Sequence, residues 1–197
     1  QDSTVQIVEY YAANHPEKIT LLNYPPQGGA CKNFLSILEH VEADYYLFCD
    51  QDDIWLPDKI EVERAQMKQL EENNPNTPIV VFSDLEVVDS NMKVINTSMW
   101  NAIGIYHELV CDFSSGGVHE YVTGCTMLFN RKARNEALQH DAQKALMHDS
   151  WLTLCVLKAG GVASGIRKPL IRYRQHAANT LGASDKKRRT WRYKMTT

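Results

Sequence analysis

Hydrophobic positions in the first half of the chain alternate between two periods, and the alternation predicts the architecture. Asp2, Ser3 and Thr4 can cap a helix in which Val5, Val8, Tyr11 and Ala12 recur at helical spacing, ending near Asn14-His15-Pro16. Ile19–Leu22 then reads as a short buried strand. The stretch Tyr24-Pro25-Pro26-Gln27-Gly28-Gly29 excludes regular structure and feeds a helix from Ala30 to Val41, with Phe34, Leu35, Leu38 and Val41 on one face. Tyr45–Cys49 is a continuous apolar run of the kind that fills the middle of a sheet, and it stops abruptly at Asp50-Gln51-Asp52-Asp53. A helical pattern over Asp58–Glu72 is halted by Asn73-Asn74-Pro75-Asn76 before the strand Ile79–Phe82.

Helix and strand in strict alternation imply crossover units. The expected fold class is therefore α/β, a mainly parallel sheet flanked by helices, with ligands bound outside the carboxyl ends of its strands. The acidic quartet sits at one such end. Beyond Asp84 the rhythm changes: Asp89-Ser90-Asn91 is a turn, and Thr97–Gly117 is an irregular insertion or lid. Order returns with a strand over Tyr121–Phe129, a helix over Arg131–Leu138, another over His148–Leu157, and short strands at Val162–Ile166 and Leu170–Tyr173. No internal repeat is visible, and the chain closes on the basic, aromatic segment Lys186–Lys194.

Composition narrows the function classes. With 197 residues the chain can bury a substantial core, and 44% hydrophobic with 23% charged residues exclude disorder or a fibrous repeat as a description of the whole. A net charge of −3 and a pI near 6.2 give no global attraction to nucleic acid or anionic membrane. The longest apolar runs fall well short of the roughly 20 residues that span a bilayer. Five cysteines without a C-x-x-C pair read as free thiols in a reducing compartment, which makes the cytoplasm the expected location.

Three carboxylates within four residues repel one another unless a positive charge joins them, and a hard divalent cation bridging to phosphate oxygens is the common solution. For Asp50 and Asp52 the metal reading leads; Asp53 and Asp58 serve equally well as turn formers or helix caps. An EF-hand fails, because Trp55 stands where the loop needs glycine and Ile54 where it needs an oxygen ligand. A haloacid dehalogenase-like phosphatase, with Ser83 at the end of a later strand, is the alternative enzyme, and a non-catalytic sugar-binding module the alternative of another class.

Five ordered blocks carry a family likeness: Gln27-Gly28-Gly29-Ala30 with Asn33; Asp50-Gln51-Asp52-Asp53-Ile54-Trp55-Leu56-Pro57-Asp58-Lys59; Thr123-Gly124-Cys125; His148-Asp149-Ser150-Trp151-Leu152; and Tyr173-Arg174-Gln175-His176. In this order and spacing the chain resembles the inverting family 2 glycosyltransferases of the GT-A fold, in particular the rhamnosyltransferase-like members. The resemblance implies a metal-dependent enzyme that moves a hexosyl group, rhamnosyl among the candidates, from a nucleotide-diphosphate sugar to a glycan or lipid-linked acceptor in polysaccharide biosynthesis. It implies Mg²⁺ or Mn²⁺ held by Asp52, Asp50 and His176, nucleotide-sugar contacts from Asp50, Asp52, Lys32 and Arg174, and Asp149 as catalytic base. Gly124 and Trp151 fall on the acceptor side.

Each role has a plainer competitor: a solvated helix-face lysine for Lys32, a helix cap for Asp149, packing for Gly124 and Trp151, and positioning or packing for His148. Family members begin with a strand, a helix and a second strand, whereas Asp2-Ser3-Thr4 matches the segment just after that second strand. The expectation is thus an N-terminally truncated GT-A domain over residues 1–182, inactive by itself, and a basic tail over 183–197. Segment 186–194 could place the chain peripherally at the inner face of the membrane; self-association is left open.

Overall fold

The computed structural model describes residues 3–23, 25, 27–105 and 122–175. Helix α1 (Thr4–Asn14) has no buried residue. Helix α2 (Ala30–His40) buries Leu35 and Leu38, and Phe34 lies against the same core. Strand β1 (Tyr45–Leu47) follows, then β2 (Ile54–Trp55), helix α3 (Lys59–Asn73), strands β3 (Ile79–Val88) and β4 (Val94–Asn96), and the short helix α4 (Met99–Ile103). A 3-10 turn, Gly124–Thr126, leads into β5 (Met127–Asn130), helices α5 (Arg131–Leu138) and α6 (His148–Lys158), and the long strand β6 (Val162–Arg174).

The sheet order is β1-β5-β3-β6-β2, with β4 added to β3. β3, in which nine of ten residues are buried, lies at its centre, as its run of β-branched and aromatic side chains favours. It pairs parallel with β6 from Ile79↔Val162 to Val88↔Arg174, through two register shifts. The sheet is mixed rather than mainly parallel. β1, β3 and β6 share one direction, as alternating strands and helices demand. β5 is inserted between β1 and β3, antiparallel to both, and β2 and β4 pair antiparallel at the far ends of β6 and β3. Residues 97–126 separate β4 from β5, and 106–121, most of the expected insertion or lid, lie outside the described residues; helix–strand alternation, which implies parallel crossovers, does not extend over this connection.

Other departures have local causes. Ile19–Leu22 forms no ladder among the described residues. Val122–Thr126 breaks what the apolar run suggested as one strand over 121–129, because Thr126 N and its hydroxyl both turn back to Thr123 O, at 2.9 and 2.7 Å. The two predicted strands over 162–173 are a single strand that absorbs Pro169 at a register shift.

The main core lies between the sheet and α2, α5 and α6, while Met67 of α3 joins Ile79, Val81 and Leu128 on the opposite face. No described helix is long and apolar enough to cross a membrane. Strands β1 and β2 are the two edges of the main sheet, and residues 48–53 carry the chain between them. That six-residue passage contains the acidic quartet.

Candidate active site

Asp149 stands in the first turn of α6. It is not the cap residue, which is Met147, and its two oxygens divide, one bonding within the first turn and the other leaving the helix. Its Oδ2 accepts from the backbone N–H of Gly124 at 3.0 Å, and its Oδ1 accepts from Ser150 N at 2.6 Å and Ser150 Oγ at 3.2 Å. Asp149 is 8% exposed, so both oxygens are held in fixed directions. Gly124 has no space for a side chain: a Cβ there would lie 2.4 Å from Nε2 of His148. What Gly124 does in this arrangement is orient Asp149 from the 3-10 turn.

The acids after β1 share one electrostatic neighbourhood with Asp149. Burial pushes the Asp50 carboxyl above the usual range, and the charges of Asp52 and then Asp149 push it further in the same direction. Asp53 is raised to about 6, chiefly by burial; a hydrogen bond from Cys125 and another from Arg174 N, the latter to Oδ1 at 3.1 Å, work against the rise. Tyr173 is pushed well above its ordinary value by burial, then by Cys125, Asp53, Asp50 and Asp52. In all three the leading cause is burial, and the neighbouring acids add to it.

Ligand atoms of Asp50, Asp53 and Cys125 all lie within 4.8 Å of one another. The carboxylates suit a hard cation such as Mg²⁺ or Mn²⁺, and the thiol does not. Of the expected Asp50, Asp52 and His176, Asp50 alone is a member of this cluster; Asp52 acts on Asp50 through its charge, and His176 lies outside the described residues. Asp53 and Cys125 were missed as members. Asp53 was already visible as the last acid of the quartet, whereas nothing in Thr123-Gly124-Cys125 says that its thiol reaches an aspartate 72 positions away.

The remaining expected residues divide. Arg174 is at the end of β6 and delivers its backbone N–H to Asp53. Lys32 is exposed on the first turn of α2, beside Cys31, whose thiol is pushed up by burial and then by Asp149, with the Lys32 charge opposing the rise only in part. Trp151 does not face the acids: its indole N–H donates to Ala137 O on α5 at 3.4 Å and its ring joins the main core, which is the packing alternative. Asp58 precedes α3 without a side-chain cap bond and pairs with Lys168. Ser83 is buried in mid-β3, not at a strand end, which removes the second block on which the phosphatase alternative relied.

A family model described as Glycosyl transferase family 2 matches residues 1–138. The chain belongs to glycosyl transferase family 2. Similar to this family 2 chain is the dTDP-rhamnosyl transferase RfbG of Shigella flexneri, 28% identical over 199 residues that cover 93% of the chain and 62% of the relative. The crystal structure of S. aureus TarS 1–349 in complex with UDP-GlcNAc resembles it with a TM-score of 0.56 at 17% identity, over 93% of this chain and 49% of that one. The chain thus spans about half to two thirds of the length of these relatives, and the structural likeness establishes a GT-A type of mixed α/β fold.

Proposed function

We propose that this family 2 chain supplies the base and the diphosphate side of a glycosyltransferase site that moves a hexosyl group from a nucleotide-diphosphate sugar to a hydroxyl with inversion. The likeness to a dTDP-rhamnosyl transferase favours rhamnosyl as the group, and a glycan or lipid-linked sugar as its acceptor. One observation carries the reading. Asp149 is buried, aimed by a backbone N–H, and close enough to the acids after β1 for its charge to be felt at Asp50. A binding module has no use for an oriented base beside an anionic cluster.

In this reading the acceptor hydroxyl gives its proton to an Asp149 oxygen as it attacks the anomeric carbon from the face opposite the leaving diphosphate. The Gly124 and Ser150 N–H groups hold the carboxylate in line during that transfer. Mg²⁺ or Mn²⁺, held by Asp50 and Asp52 with Asp53 adjoining and His176 as the expected further ligand, would act as a Lewis acid on the departing phosphate. In the same reading the basic segment 186–194 rests on an anionic leaflet near the acceptor, a contact that liposome sedimentation with and without that segment checks.

The decisive experiment measures nucleotide release from dTDP-rhamnose and UDP-GlcNAc by the full-length protein. Asp149→Asn is expected to lower kcat by roughly 10²–10⁴-fold with donor affinity retained, the usual contribution of a general base. Asp52→Ala is expected to weaken Mn²⁺-dependent donor binding by calorimetry. Full activity in Asp149→Asn, or donor turnover indifferent to chelation, overturns the proposal.

A further inference from the structure

The imidazole of His148 lies where three parts of the site meet, and the proposed reaction gives it no task. It is 4% exposed. Phe34 of α2 stacks on it at 4.4 Å between centroids, and Phe48, two residues before Asp50, meets it edge-on at 4.7 Å and 90°. The third contact is Gly124, where Nε2 occupies the place that a side chain would need. Neither ring nitrogen has a hydrogen-bond partner among the described residues, and burial holds the ring below the ordinary histidine pKa against the opposing effect of Asp149. A buried ring that makes no hydrogen bond to the described residues and is gripped by two aromatic side chains acts through its shape.

The contacts form a short mechanical chain. Phe34 and Phe48 fix the ring, the ring edge fixes how closely the 123–126 turn approaches α6, and the turn fixes the direction of the Gly124 N–H that reaches Asp149 Oδ2. The same chain runs through Phe48 to the segment that carries Asp50. We propose that His148 is a positioning residue: it is a wedge that sets the Gly124 turn, and through it the direction of the Asp149 carboxylate relative to the donor acids. Gly124 is then glycine because the wedge fills its Cβ site. This inference rests on Asp149 being the base.

Backbone NMR on ¹⁵N-glycine-labelled chain tests it directly, with the Gly124 amide identified by its loss in Gly124→Ala. Asp149→Asn shifts that amide by removing its charged acceptor. His148→Ala is expected to shift it by a comparable amount, whereas His148→Phe, which keeps the wedge, returns most of the native position. In nucleotide release from dTDP-rhamnose by the full-length protein, His148→Ala is expected to lose about 10–100-fold in kcat with the donor KM within about twofold, the scale of a misplaced catalytic group. His148→Phe is expected to recover most of that loss. Gly124→Ala combined with His148→Ala is expected to turn over at least about tenfold faster than Gly124→Ala, since the clash is gone.

A Gly124 amide that stays in place in His148→Ala while it moves in Asp149→Asn overturns the wedge, as does a double variant no faster than Gly124→Ala. If His148→Ala does not fold, His148→Leu, which lacks the ring edge, is read by the same amide and the same kcat-against-KM split. Full kcat in Asp149→Asn is a different failure: it removes the base, while the amide shifts still report the wedge.

Discussion

Single positions in this chain are decided by what occupies the neighbouring space, and the two glycines that end α6 show it in opposite ways. Gly160 has φ +74° with open space around it, so only backbone conformation demands glycine there. At Gly161 a Cβ would lie 2.4 Å from Pro78 O and 2.7 Å from Val156 O, both backbone atoms that cannot step aside. This is the point where the α6–β6 junction crosses the start of β3, and it is closed by Gly161 N to Val156 O and Val162 N to Pro78 O. Gly160→Ala is expected to cost about 1 kcal/mol, the left-handed penalty. Gly161→Ala is expected to cost about 2–3 kcal/mol through displaced backbone. Urea unfolding of the two variants checks the order; equal losses would show that the junction has room to yield. At this scale the placement of Asp50 and Asp52 just after β1 and of Asp149 in the first turn of α6 was legible in the sequence, because charge clustered at a strand end and a helix start is a local pattern. The direction of Trp151 was not, since which face of α6 meets α5 is set by packing.

Among the elements, α3 carries an unusual interior. Lys59 and Glu63, one turn apart, are both fully buried, with Nζ 2.5 Å from Oε1 and the ammonium 5.0 Å from the centroid of Trp55. Burial raises the Glu63 carboxyl to about 7 although Lys59 and Ser83 both pull it down. Removing one partner strands the other, so Lys59→Met or Glu63→Leu alone is expected to cost about 3–5 kcal/mol, while the two together return to within about 1 kcal/mol of the parent. A double variant as unstable as the singles in chemical denaturation would contradict this.

The sign of the pH effect is set by the same pair. Glu63 binds its proton more tightly folded than unfolded, so its contribution to stability is present below about pH 4.5 and is lost as pH rises through about 7. The loss is on the order of 3 kcal/mol. Unfolding free energies measured across pH 4.5–7 are expected to fall more steeply in the parent than in the double variant; parallel curves would show that Glu63 does not titrate in that window. Helices were the legible elements: Arg131–Leu138 has the bounds its pattern suggested, and α2, α3 and α6 lie within a residue or so of theirs. Strands were harder to read, because a buried run such as residues 79–88 carries no periodicity to mark its end.

At the scale of the molecule, alternation of helix and strand revealed the common direction of β1, β3 and β6 but not the insertion of β5 between them. Sheet order is a long-range property, and Leu128 meets Leu47 and Val81 from far along the chain. The resulting order surrounds β3 with three paired strands, while α1 contributes nothing to any buried cluster. Opening free energies track buried apolar contacts, so protection should fall steeply from the one to the other. In native-state hydrogen exchange the amides of Val80–Phe82, bonded on both sides and fully buried, are expected to exchange last, close to the rate set by global unfolding. Those of α1, where Val5, Ile7, Tyr10 and Tyr11 are more than half exposed, are expected to exchange first. An eleven-residue helix that buries no side chain is marginal in water, which places its opening within about 1 kcal/mol of zero. Peptide-resolved mass spectrometry over Thr4–Asn14 and Ile79–Val88 reads the difference, and protection of α1 equal to that of β3 would mean that the chain buries this helix against a surface of its own kind in solution.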